Sequence, residues 1–243
     1  MTANTLPSAI LFDLDDTIIQ AYAQPDEAWG RLLARFADRL DGLGDPASLA
    51  QTRRTILDEA RSFWGDPVNA ARWRLDIAAA RRQVVRRAFA RLERSDVTLA
   101  DTIGDAFTDM RREEYKLFPD ALSTIDRLRA AGVRLALITN GPSETQRAKV
   151  ARFDLERRFD HIQIEGEFGK GKPEPEVYTH ALARLGVVAG EAWMIGDNVE
   201  WEVVAPQRLG MRGIWYDPHG LGLPADSPVR PDRILARLSE IFE

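Results

Sequence analysis

The chain begins its ordered pattern with Ala9-Ile10-Leu11-Phe12, an apolar run that ends in three acids within four residues, Asp13, Asp15 and Asp16. A bounded run rich in Ile, Leu and Phe suits a buried strand of a parallel sheet, and ligands of such sheets bind outside the strands' carboxyl ends. From about Gln20 to Lys116 the texture changes to Arg, Ala and Leu at helical spacing. Val85, Ala88, Phe89 and Leu92 follow the i, i+3, i+4, i+7 rule, while Arg81, Arg82, Arg86 and Arg87 mostly fall on the other side, as a solvated face. Breaks at Gly42-Leu43-Gly44-Asp45-Pro46 and Gly65-Asp66-Pro67 divide this stretch into several helices.

After Phe118-Pro119 strand and helix alternate. A helix with Leu122, Ile125 and Leu128 inward stops at Gly132, and a strand from Val133 to Ile138 ends in Thr139-Asn140-Gly141. Ser143 followed by Gln146 reads as a capping box opening a helix towards Phe153. A short strand at His161 to Ile164 comes next. The helix Glu174 to Leu185 carries Val177, Tyr178, Ala181, Leu182 and Leu185 on one stripe, with Gly186 as its stop. Ala192 to Ile195 is a strand ending in Gly196-Asp197, followed by a helix to Leu209. Gly213 to Tyr216 is a last strand, and a Pro/Gly-rich loop, Leu221 to Pro231, precedes a C-terminal helix. The order predicts an α/β fold, a Rossmann-like doubly wound parallel sheet with an inserted helical domain. The expected boundaries are 1–19 with 117–243 for the core and 20–116 for the insertion.

Composition narrows the chemistry. With no cysteine, disulfides, thiolate metal sites and cysteine nucleophiles are excluded, so a metal would need carboxylate oxygens. A formal net charge of −5 argues against general polyanion binding and so against a nucleic-acid partner. No apolar run approaches the length of a membrane span, and no basic leader precedes the first strand, so the expected place is the cytoplasm, without membrane association.

Three strand ends then carry polar groups to one crevice: Asp13 and Asp15, Thr139 and Asn140, and Asp197. The Gly169-to-Pro175 loop can bring a lysine to the same edge. Asp13 and Asp15, two residues apart, share a face in extended backbone, and adjacent carboxylates repel unless a cation or a proton intervenes. Taken singly, each signal has a plainer meaning: D-x-D and Gly196-Asp197 as helix caps, Thr139-Asn140-Gly141 as a turn, Lys170 and Lys172 as solvated lysines. Their conjunction, in order and each at a strand end, is what gives them weight.

In that conjunction the sequence resembles the haloacid dehalogenase-like hydrolase superfamily, through DLDDT (Asp13 to Thr17), ITNG (Ile138 to Gly141), KPEP (Lys172 to Pro175) and GDNVEWE (Gly196 to Glu202). The helical insertion resembles the family's C1 cap, and ITNG with the following helix resembles the phosphoglycolate, sugar-phosphate and nucleotide phosphatase branch. The resemblance implies Asp13 as nucleophile and Asp15 as general acid and base, an acid the haloacid dehalogenases proper lack. It implies Thr139, Asn140, Gly141 and Lys172 on the phosphoryl oxygens. It implies Mg2+ held by Asp13, the Asp15 carbonyl and Asp197. The implied substrate is a small phosphorylated metabolite, acted on by a monomer or homodimer. Lys172 is chosen over Lys170 because it directly precedes proline. Glu202 departs from the usual shorter acid, so it could orient a metal-bound water or Lys172, or be a plain helix acid. Asn198 is a further candidate beside the metal, and Asp16 is given no role. Other outcomes of the same chemistry, phosphomutase or dehalogenase activity, and a catalytically idle binding protein are the alternatives. Specificity is expected in the insertion, at Phe63-Trp64-Gly65-Asp66-Pro67 and Trp73-Arg74.

Overall fold

The structure, a computed structural model, describes residues 6–22, 24–40 and 46–243. It divides into two compact units, Met1–Gln20 with Lys116–Glu243, and Ala21–Tyr115, each with its own apolar core. In chain order the elements are β1 (Ala9–Phe12), β2 (Ile19–Gln20), α1 (Pro25–Arg35), α2 (Pro46–Gly65), α3 (Pro67–Trp73), α4 (Ile77–Arg91), α5 (Val97–Glu114) and β3 (Lys116–Leu117). They continue with α6 (Ala121–Ala130), β4 (Arg134–Thr139), α7 (Ser143–Arg152), β5 (His161–Ile164), α8 (Glu165–Phe168), α9 (Pro175–Leu185), β6 (Ala192–Gly196), α10 (Ala205–Arg208), β7 (Arg212–Tyr216) and β8 (Arg233–Leu235).

The first unit is built on a six-stranded parallel sheet ordered β5-β4-β1-β6-β7-β8. β1 lies in its middle, with Leu11 opposite Ala136 on one side and Met194 on the other. All four residues of β1 are buried, because its two faces are both covered. Ala9 and Leu11 join the cluster formed with Val177, Tyr178 and Ala181 of α9, while Phe12, on the opposite face, meets Phe159 edge to face. The five residues on the expected stripe of α9 are all buried, and Gly186 closes that helix in the left-handed conformation. Since the strands run parallel, the carboxyl ends of β1, β4 and β6 open on one edge of the sheet. The short pair β2 and β3 forms a separate antiparallel ribbon.

Two elements differ from the sequence reading. No single α-helix follows Asp197: the backbone makes a π-helical turn over Val199–Val204 and then the short α10. Pro206 explains this, since it has no N–H to give to the carbonyl four residues back, that of Glu202, and its ring would strike it. The chain end is not an α-helix either. Arg233–Leu235 adds β8 to the sheet beside β7, and Leu238–Phe242 makes a 3-10 turn that buries Leu238 and Ile241. Leu235, Leu238 and Ile241 keep helical spacing, so the departure is tertiary: pairing with β7 draws Arg233–Leu235 into the sheet and leaves too short a remainder for an α-helix.

The second unit is a helical bundle. Asp66, Asp76 and Asp96 cap α3, α4 and α5 by accepting main-chain N–H bonds. The Gly65-Asp66-Pro67 break thus separates α2 from α3, whereas the Gly42-to-Asp45 part of the other break lies outside the described residues. Trp29 stacks on Phe107 at 3.7 Å and 2°. Trp64 and Trp73 are half-buried and pack with Phe63 against the bundle core. The arginines of α4 also divide. Arg82, Arg86 and Arg87 pair at the surface with Asp105, Asp101 and Glu59, but Arg81 is buried. Among the described residues no helix is long and apolar enough to cross a membrane.

Tyr178 links α9 to the irregular turn, its hydroxyl donating to the Trp201 carbonyl at 2.6 Å. Tyr178→Phe leaves that carbonyl without its donor and is expected to cost about 1–3 kcal/mol, read as a lowered denaturant midpoint with unchanged slope. A midpoint equal to the parent's would show that the turn does not depend on this bond.

Candidate active site

Lys172 is the hub of the site. Its ammonium is fully buried and donates to Asp13 Oδ1 at 2.5 Å and to Glu202 Oε1 at 2.7 Å. Asp13 sits one residue past β1, where the strand delivers it, and its other oxygen accepts from Thr17 Oγ1 at 3.2 Å. Glu202 is wholly buried in the π-helical turn, and its Oε2 accepts the Asn198 N–H at 2.7 Å. So Glu202 orients Lys172, one of the readings left open by sequence, while Asn198 works as the cap of that turn, its Oδ1 accepting the Trp201 N–H. The approach of Glu202 to Asp13 passes over Gly196, where a Cβ would fall 2.1 Å from Glu202 Cγ and 2.9 Å from Asp13 Cβ. Only glycine fits there. Lys170, by contrast, is half exposed and pairs with Glu176.

Asn140 serves the lysine as well. Its Nδ2 donates to the Lys172 carbonyl at 2.8 Å and its Oδ1 accepts the Lys172 N–H at 2.7 Å, a two-bond tether that docks the Gly-Lys-Pro loop against β4. The Gly141 N–H donates to buried Glu165 Oε2 at 3.0 Å. These two residues, expected on the phosphoryl group, therefore spend the Asn140 side chain and the Gly141 amide on holding the loops. Thr139, buried at the end of β4, has its hydroxyl directed into the same network, accepting from Gln146 Nε2 at 2.5 Å.

Gln146 and Lys149 are the residues that sequence reasoning missed. Ser143 makes no cap bond in α7; it donates to Glu167 instead. Gln146, the supposed partner in a capping box, is buried and donates to Asp15 Oδ2 at 3.0 Å as well as to Thr139. Lys149 Nζ meets both Asp15 oxygens at 2.7 Å and Gln146 Oε1 at 2.8 Å. Their spacing of three places both on the face of α7 turned to the strand ends. The available signal was a Gln and a Lys at that spacing, directly after a strand-end Thr-Asn-Gly. A further tether comes from Trp215 on β7, whose indole N–H donates to the Asp197 carbonyl at 2.8 Å.

Charge is unbalanced here. Asp13, Asp15, Asp197 and Glu202 face Lys149 and Lys172, four negative groups against two positive, and Asp16 adds to the same field. Burial, then Asp13 and Glu202, push Asp197 up to about 9. Burial pushes Glu202 up to about 7, with Asp13 adding and Lys172 opposing. Asp13 is raised by burial and by Asp15 against the pull of Lys172. Burial alone would lower Lys172, but Asp13 and Glu202 outweigh it and keep it an ammonium. Two surplus negative charges in a buried pocket fit a divalent cation. Among the described residues no three His, Cys, Asp or Glu side chains form a ready cage, so the donor set would be the Asp13 and Asp197 carboxylates completed by main-chain oxygen.

A model of the haloacid dehalogenase-like hydrolases matches residues 7–210. The phosphoserine phosphatase of Thermus thermophilus is 38% identical over 143 residues, 59% of this chain and 56% of that protein. The chain spans about half the length of the first curated relatives it matches. A 2-haloacid dehalogenase from Pseudomonas syringae pv. Tomato superposes with a TM-score of 0.60 at 26% identity, covering 97% of this chain and 96% of that one. A HAD phosphatase from Thermococcus onnurineus shares the fold at the same TM-score, 24% identity, and coverage of 96% and 95%. The family match takes in all four strand-end motifs assembled around Lys172, and the chain belongs to the haloacid dehalogenase-like hydrolases.

Proposed function

We propose that the protein is a magnesium-dependent phosphohydrolase that cleaves a small phosphate monoester through an aspartyl-phosphate on Asp13. The observation that carries this reading is the second carboxylate, Asp15, clamped by Lys149 and Gln146 beside the Asp13 and Lys172 pair. A dehalogenase of this family has no use for an acid there, whereas phosphoryl transfer to water needs a proton delivered and then removed. The curated phosphatase relatives support the same reading.

In this account the Asp13 carboxylate attacks phosphorus, the bond to the leaving oxygen breaks, and Asp15 supplies the proton that the departing alkoxide takes up. Asp15 then takes a proton from water as that water attacks the aspartyl-phosphate and releases Asp13. Lys172, the Thr139 hydroxyl and the Asn140 main-chain amide offset charge on the equatorial oxygens. Asp13 and Asp197, with the Asp15 carbonyl, would hold Mg2+, which supplies neutralisation of charge between an anionic nucleophile and an anionic substrate. The helical unit is read as the cap that carries specificity.

Assay against a panel of phosphate monoesters, with and without Mg2+, tests the reading: metal-dependent phosphate release is expected, and Asp13→Asn should reduce it to background. Chelator-resistant turnover, or activity in that variant, would sink the mechanism.

Lys172→Ala should cost on the order of a few kcal/mol in transition-state stabilisation, about 10²–10³ in kcat, while Lys170→Ala, at an exposed pair, stays close to the parent. The reverse ranking would mean that the wrong lysine has been placed in the site.

The unbalanced carboxylates also predict a pH effect. Asp197 and Glu202 have folded values above their unfolded ones, so the folded state binds more protons, and their contribution is full at low pH and lost as pH rises through about 7 and then about 9. In EDTA the melting temperature should therefore fall between pH 5 and pH 9. Mg2+ should restore most of the loss. A melting temperature that rises over this range in EDTA, or that Mg2+ leaves unaltered, counts against the site as described.

A further inference from the structure

α7 meets the sheet mainly through polar groups. Its buried residues are Gln146, Lys149 and Val150, two polar side chains and one apolar. Burying an ammonium is costly, and a well-packed apolar pair at the same positions would hold a helix to a sheet at least as well. What an apolar pair lacks is the power to direct a polar neighbour, and here that neighbour is Asp15. Lys149 Nζ meets Asp15 Oδ1 and Oδ2, each at 2.7 Å, and Gln146 Oε1 at 2.8 Å. Gln146 Nε2 in turn donates to Asp15 Oδ2 at 3.0 Å. Lysine and glutamine brace each other, so the two act as a single support. The side chain of Lys149 is 3% exposed and that of Asp15 16%, so the support lies behind the carboxylate and leaves the carboxylate itself to meet a reactant.

The two oxygens of Asp15 are held unequally. Among the described residues Oδ2 accepts from both Lys149 and Gln146, whereas Oδ1 accepts from Lys149 alone. The carboxyl group can therefore carry a proton on Oδ1 while Oδ2 keeps both of its partners. In the first half of the proposed reaction the Asp15 O–H bond breaks as its proton passes to the leaving oxygen. In the second an O–H bond of the attacking water breaks and the proton returns to the same carboxylate oxygen. Such transfers need donor and acceptor within hydrogen-bond reach of each other. Gln146 carries the support one group further, because the same Nε2 donates to Thr139 Oγ1 at 2.5 Å and to the Asn140 carbonyl at 3.0 Å. The end of β4 and the carboxylate are thus fixed to one amide. All of these groups belong to the first compact unit.

We infer that Lys149 and Gln146 are positioning residues for proton transfer: they hold Asp15 so that Oδ1 faces the leaving oxygen and then the attacking water. The inference rests on the phosphohydrolase reading, and its test separates the two. Two esters of nearly the same shape are compared by kcat/KM with Mg2+. In p-nitrophenyl phosphate the leaving phenolate is weakly basic and departs without a proton; in phenyl phosphate it is a stronger base and gains from one. Lys149→Met and Gln146→Leu are both made, so that the misfolding of either leaves the other to decide. Each should lower kcat/KM on both esters, but on phenyl phosphate at least about tenfold more. Because both residues act through Asp15, either change added to Asp15→Asn should lower the ratio of the two esters no further. A role confined to holding α7 in place predicts equal losses on the two esters and a further loss when added to Asp15→Asn; that result overturns the inference and leaves the phosphohydrolase reading standing. A gain in kcat/KM on either ester would show that the pair parks Asp15 away from the substrate, and overturns the inference as well. If the parent releases no phosphate from these esters or from a wider panel of monoesters with Mg2+, the phosphohydrolase reading falls and the inference with it.

Discussion

A single buried ammonium sets the terms for this site. Lys172 lies between Asp13 and Glu202 with no exposure to solvent, and a charge so placed is tolerable only while both partners stay in position. Much of the surrounding architecture serves that requirement. Asn140 ties down the main chain of Lys172, the π-helical turn over Val199–Val204 turns Glu202 inward, and Gly196 clears the space between the two acids. Parallel topology supplies the rest, because β1, β4 and β6 deliver their terminal residues to the same edge.

Lys172 balances only part of the charge around it. A second lysine, Lys149, is assigned to Asp15 and fixes that carboxylate together with Gln146. The division is consistent: one cation pairs with Asp13, the other with Asp15, and the excess negative charge left near Asp13 and Asp197 suits a divalent ion. The partners of this network come from the ends of β1, β4 and β6, from α7 and from the loop before α9. A small slip in the register of the sheet would therefore separate them all.

The sequence made the strand ends readable because a buried strand announces itself by an apolar run and its end by the first polar residue, as at Phe12 to Asp13 and Ile195 to Asp197. The stripe of α9 was equally plain, since all five of its apolar residues face one core. What escaped were polar residues whose burial depends on tertiary neighbours. Gln146 fits a capping box as well as it fits a site, and local spacing cannot choose between them. Arg81 looks like Arg82, Arg86 and Arg87 until α5 is seen to cross over it at Gly104. The departure after Asp197 did have a local cause, Pro206, and a stricter reading of that proline would have broken the helix there.

Fold and family leave two outcomes of aspartate chemistry open, since a dehalogenase and a phosphatase share this architecture. On the proposed reading the difference lies in what would become attached to Asp13, a phosphoryl group or a carbon skeleton, and in a use for Asp15 as the group that moves a proton. The most direct measurement is a rapid acid quench of the enzyme turning over a phosphate monoester with Mg2+, followed by mass spectrometry of its peptides. The account predicts a phosphoryl group on the peptide containing Asp13, absent from Asp13→Asn; turnover with no phosphoryl group on Asp13, or with one on another residue, would contradict it.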